Sequence, residues 1–257
     1  ASCGLCNNTP INNTPINIYN TACGATKPIS EYGTVNWITD MYSGADKTAF
    51  ENNWTLYIGL DEKWMFDRRT DSFNYQMAHI FYVVFGTNTQ QVIEARVNSD
   101  DFNKQDATGL VTKYCTFVGR LPGFLVSGLK IINIQGGDDL WGGNADLGAL
   151  EITTGGGDVY INDGDIYDVI AHELTHVSMD LKHLKSSGWI AAMNQDCMAI
   201  SSYAGEHPGR EDLAETLGPY IAFRRNKLTS DLITGIKKIP ARFSYLDSLN
   251  LSMDILP

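Results

Sequence analysis

The chain has 257 residues, of which 43% are hydrophobic and 11% aromatic, enough to bury the core of one generous domain and too apolar for intrinsic disorder. Its formal net charge of -11 comes without the clustered Lys and Arg that displace counterions from phosphates, so no nucleic-acid partner is expected. No run approaches the roughly 20 unbroken apolar residues of a membrane span, and none is expected.

Three of the five cysteines, Cys3, Cys6 and Cys23, crowd the first 23 residues, where little else is apolar. Such crowding fits a disulfide-stapled extension in an oxidising, secretory compartment. An odd count leaves one thiol over, and Cys115 or Cys197 could tie the extension to the rest of the chain. The Cys3-Gly-Leu-Cys6 spacing also occurs in redox motifs, but no strand and helix follow it as a redox fold needs. The first residue is alanine, so a processed or truncated chain is expected. The pentapeptide Asn-Asn-Thr-Pro-Ile occurs twice over residues 7–16, and each proline blocks helix and central strand, which predicts an extended arm. Up to Asn74 the chain is rich in aromatic residues without a clean period. Residues 1–75 are therefore read as an N-terminal extension packed on a main domain of residues 76–257. Sequons at Asn53 and Asn250 are compatible with secretion.

Beyond that point the pattern sharpens. A continuous apolar run over 79–85 and alternation around Ile93, Ala95 and Val97 predict a β-hairpin. Asp106 is placed to cap a helix carrying Leu110, Val111, Tyr114 and Val118, which Pro122 ends. Further strands are expected over 129–134, 150–154 and 158–162, with the intervening glycine runs as turns. A helix then starts near Asp163 or Asp165 and sets Ile166, Val169, Ile170, Leu174, Val177 and Leu181 on one apolar face. Helices are expected over 187–200, from about Gly209, and over 228–249 with an interruption at Pro240. Arg224, Arg225 and Lys227 follow a helical pattern and read as a solvated face. Strands first and helices later give an α+β class with a mixed sheet and a helical C-terminal half.

On the helix that starts near Asp163 or Asp165, His172-Glu173-Leu174-Thr175-His176 forms an H-E-x-x-H signature. Residues four apart project from one helix face, so both imidazoles can bind one ion. Two neutral imidazoles and a carboxylate suit zinc (Zn2+) with a position left for water. Glu173 can reach that water and not the metal. The third ligand must come from elsewhere, and Glu211 or Glu215, four apart on a predicted helix, is the best source. One of the pair can bind the ion while the other braces a ligand histidine. His79, His183 and His207 lack such support and read as packing or surface residues.

The H-E-x-x-H helix, an intervening helical segment, Ser202-Tyr203 and Glu211-Asp212-Leu213-Ala214-Glu215 together resemble the catalytic domain of anthrax toxin lethal factor and its relatives among the gluzincin-type metallopeptidases. The resemblance covers about residues 172–225. It implies a zincin-like domain with Glu211 as zinc ligand, Glu215 as a carboxylate behind the ligands, Tyr203 as a phenol stabilising the oxyanion, and Asp180 at the position of a family aspartate. Thr175 stands where many such peptidases have glycine, and the Tyr203 to Glu211 loop is a residue longer than in the family.

The expected activity is secreted, zinc-dependent endopeptidase hydrolysis of a peptide or protein substrate, with Glu173 as general base. The glycine-rich strand before the helix would let an extended peptide pair along a sheet edge. Two alternatives stand beside it: a zinc amidohydrolase acting on a non-peptide substrate, and a catalytically silent binding or toxin-like module that keeps zinc structurally. The intact Glu173 favours catalysis, because a structural site has no use for that carboxylate.

Overall fold

A computed structural model describes residues 27–34, 47–51, 54–88 and 90–257. The repeat-containing arm, Cys3, Cys6, Cys23 and the Asn53 sequon lie outside the described residues. The expected hairpin is present: the apolar run belongs to β2 (Ser72–Phe85), which pairs antiparallel with β3 (Gln91–Asn98) in a register that sets Phe81 opposite Ala95 and Val83 opposite Ile93. On its other side β2 pairs with β1 (Leu56–Asp67), a strand that the aperiodic aromatic composition had hidden. β4 (Ile131–Gln135) runs parallel to β3. The short β5 (Gly142–Asn144) is antiparallel to β6 (Ala149–Thr153), which is parallel to β4. The resulting mixed sheet has the order β1-β2-β3-β4-β6-β5, so β5 forms one edge.

One face of the sheet presents Phe81, Val83, Ile93, Ala95, Ile132, Ile134, Leu150 and Ile152 to the core. Two helices cover it. The first, α1 (Lys104–Val118), buries Ala107, Val111, Tyr114, Cys115 and Val118. Its cap is Asn103 and not the expected Asp106: the Asn103 side chain accepts from the amides of Gln105 and Asp106, satisfying two donors that no helical carbonyl can reach. A single turn, α2 (Gly123–Val126), follows.

The strand expected over 158–162 is instead part of α3 (Thr154–Asp163). Its glycines are there for close approach and not for turns. A Cβ on Gly155 would overlap the Asp138 carboxylate, and one on Gly157 would lie 2.5 Å from the Tyr114 hydroxyl. Gly164, at a φ of 86°, ends the helix and returns its amide to Ile161 and Tyr160.

The second covering helix is α4 (Ile166–Met179), which buries Ile166, Val169, Ile170, Leu174 and Val177 as expected. Leu181 departs from that face, being 72% exposed. The chain passes at Asp180–Leu184 into a π-helical turn, whose wider winding takes Leu181 off the face and brings Leu184 into the core. The helical half continues with α5 (Ser187–Asp196), α6 (Ser202–Glu206), α7 (Asp212–Arg224), α8 (Ser230–Ile236) and α9 (Pro240–Ser248). Pro240 opens α9, where its missing N–H costs nothing. Arg242 of α9 is fully buried and pairs with Asp212 of α7 and Asp196 of α5 at 2.9 and 3.1 Å. That ties the start of α7 to α5 and α9. Among the described residues no helix is long and apolar enough to cross a membrane.

Candidate metal centre

α4 and the start of α7 pack side by side, and each sends two residues, four apart, into their common groove. From α4 come His172 and His176; from α7 come Glu211, its N-cap residue, and Glu215. The Nε2 atoms of His172 and His176 lie 3.3 Å apart, and each lies 3.2 Å from Glu211 Oε2. The imidazole planes are inclined by 75°, so the two rings aim at one point without stacking.

Two nitrogens and a carboxylate oxygen form a nearly equilateral triangle that can hold a metal ion. Zinc bonds to nitrogen and oxygen of about 2.0–2.1 Å at tetrahedral angles put neighbouring ligand atoms about 3.3–3.4 Å apart. The triangle therefore fits the size of the ion, and the donor set fits its chemistry.

Behind the ligands stand further carboxylates. Asp180, the first residue of the π-helical turn, sets Oδ2 2.7 Å from His176 Nδ1. Glu215 Oε1 lies 3.3 Å from His172 Nδ1, within ion-pair range though not aligned as a hydrogen bond. Carboxylates on the far nitrogen fix the ring and its tautomer. The second oxygen of Glu215 accepts from Ser201 Oγ at 2.6 Å and from the Thr34 amide at 2.8 Å. Glu211 Oε1 accepts from Tyr203 at 3.1 Å and from Arg210 Nε at 2.5 Å, and Arg210 Nη2 donates to the Tyr203 hydroxyl at 3.1 Å.

Burial opposes charge on His172, yet the carboxylates of Glu211 and Glu215 outweigh it and push the imidazole up to about 10. His176 is likewise opposed by burial and driven up to about 9 by Asp180 and Glu211. Burial also works against an ionised Glu211, but the two imidazoles hold it far below the usual carboxylate range. A cation and two protons thus compete for the same nitrogens.

The triangle opens on a cleft of about 740 Å³, whose wall includes Arg68, Gly142, Gly143, Tyr160, Glu173 and Tyr203. Arg68 Nε donates to the Leu140 carbonyl at 2.7 Å just ahead of β5. Gly143 lets β5 press on α4, since a Cβ there would overlap the Glu173 carbonyl oxygen and come within 3.0 Å of the His176 Cβ. Glu173 lines the cleft, and its charge, after the larger effect of burial, helps to raise the Tyr160 hydroxyl.

The structure thus brings His172, His176, Glu211, Glu215, Glu173 and Tyr203 to one cleft. Thr175 fits without strain, its hydroxyl donating to the Ala171 carbonyl at 2.7 Å. His79 and His183 are engaged elsewhere, with Phe102 and Tyr57 and with Tyr245, while His207 stacks edge-on against Tyr203. Sequence reasoning missed Arg210, Ser201 and Thr34. Arg210 adjoins a ligand and Ser201 follows the rule for helix caps, accepting from the Ala204 amide, so both left a local signal; Thr34 left none. No family model, no curated protein and no solved structure matches this chain.

Proposed function

We propose that the chain is a secreted zinc-dependent endopeptidase of the gluzincin type, in which His172, His176 and Glu211 would hold the ion and Glu173 serves as general base. When bound, zinc would supply Lewis acidity toward a carbonyl and lower the pKa of a water. Glu173 lines the same cleft as the ligands; its carboxylate takes a proton from water and returns it to the leaving amine. Tyr203, at the cleft wall, has a hydroxyl that can turn from Glu211 toward an oxyanion. Arg210 bonds both Tyr203 and Glu211 and so keeps the phenol and the ligand in register.

The observation that carries the proposal is the convergence of three ligand atoms from α4 and α7 to within 3.3 Å, with Glu173 in the same cleft. The edge strand β5 beside that cleft offers a short main-chain ladder to an extended peptide. A disulfide-bonded Cys197 supports the oxidising compartment. The test is elemental analysis of purified protein combined with cleavage profiling on a peptide library before and after chelation. One equivalent of zinc and chelator-sensitive peptide cleavage are expected. An active preparation without metal would end the proposal, and stoichiometric zinc without turnover would point to a silent module.

A further inference from the structure

The segment from Lys27 to Thr34 runs against the metal centre although it lies far away in sequence. Ser30 forms a parallel bridge with Ser201; the amides of Ile29 and Ser30 donate to Ala199 and Ile200, and the Ser202 amide donates to Ser30. This short ladder delivers Thr34, which is buried, to Glu215, 181 residues on.

Thr34 makes two contacts there, each answering a need of α7. Pro219 lies inside the helix and has no N–H to give the carbonyl four residues before it, that of Glu215. The Thr34 hydroxyl donates to that carbonyl at 2.8 Å. The Thr34 amide donates to Glu215 Oε2, also at 2.8 Å, beside the Ser201 hydroxyl. With Oε2 held by two donors and the backbone of the same residue fixed, Oε1 is left facing His172 Nδ1.

We infer that the segment 27–34 is a strap that completes the metal centre: Thr34 is a positioning residue that acts through Glu215 on His172, so that metal affinity depends on this N-terminal segment remaining seated on Ala199–Ser202. The inference rests on the metal site proposed above. The strap makes metal retention responsive to whatever displaces residues 27–34, with Thr34 acting through Glu215 and not as a ligand.

The test measures zinc affinity of the full chain by competition with a chromophoric chelator, with the melting temperature of the metal-free protein as a control on folding. Thr34→Val, which keeps the amide but removes the hydroxyl, should lose about 10-fold in affinity, the lower end of what loss of an outer partner costs. Thr34→Ser should bind as the natural chain does. In a Glu215→Ala background, Thr34→Val should cost nothing further, because the route to His172 is already cut. Unchanged affinity in Thr34→Val, or an equal loss with and without Glu215, would overturn the strap while leaving the metal site standing. A natural chain without measurable zinc affinity would overturn both.

Discussion

Glu211 and Glu215 carry the same side chain one helical turn apart, and only their surroundings divide their work. Glu211 Oε2 faces two ring nitrogens, whereas Glu215 touches the far side of one ring and is otherwise held by Ser201 and Thr34. Glu211→Ala should therefore abolish tight zinc binding, while Glu215→Ala should weaken it about 10 to 100-fold. Chelator competition decides the ranking, and a greater loss from Glu215→Ala would exchange the two roles. A further buried carboxylate lies on the sheet. Glu151 on β6 accepts from Asn133 at 2.9 Å while its other oxygen has no hydrogen-bond partner among the described residues, and burial pushes its carboxyl up to about 7. A raised carboxyl binds its proton more tightly in the folded state, so its contribution is present below the ordinary value of 4.5 and is lost as pH rises through about 7. The full loss is on the order of 3 kcal/mol. Urea unfolding in chelator should show the natural chain losing this stability between pH 5 and pH 8 relative to Glu151→Gln. Parallel pH profiles for the two proteins would contradict it.

At the scale of elements, local periodicity carried the reading where the contacts are local. Ile166, Val169, Ile170, Leu174 and Val177 face the core of α4 because a 3.6-residue period puts them there. That same period placed His172 and His176 together. It failed at Leu181, since no spacing rule announces the π-helical turn at Asp180. The glycines of α3 misled for a different reason: they mark where Asp138 and Tyr114 come close, which a sequence shows only as a run of turn formers. The glycine-rich segment before the H-E-x-x-H helix, expected as an edge strand, is α3; the edge strand beside the cleft is β5, where Gly143 meets α4. Gly143→Ala should destabilise the metal-free protein by about 1–3 kcal/mol, as forced overpacking does. It should also lower zinc affinity, because the added methyl presses on the turn between Glu173 and His176. Thermal melts and metal titration check both; an unperturbed variant would mean that β5 and α4 are farther apart than described.

For the whole molecule, the order of the predicted elements announced an α+β class, and strands grouped largely ahead of a helical C-terminal half are what the described residues form. Of the cysteines weighed as anchors, Cys115 is a buried free thiol and Cys197 is disulfide-bonded. The centre was half legible. Its ligands sit in two short motifs, while the strap that steadies Glu215 comes from the opposite end of the sequence and leaves no periodic trace. Glu173 shares the cleft with His172, His176 and Glu211 and is not among the group that could hold an ion. Glutamine at that position keeps the shape but cannot accept and return a proton at neutral pH. The deciding measurement is peptide turnover by zinc-loaded Glu173→Gln beside the natural chain, with the metal content of both determined on the same samples. Full zinc occupancy with turnover lowered by at least about 100-fold is the expected result; full occupancy with undiminished turnover would contradict the account.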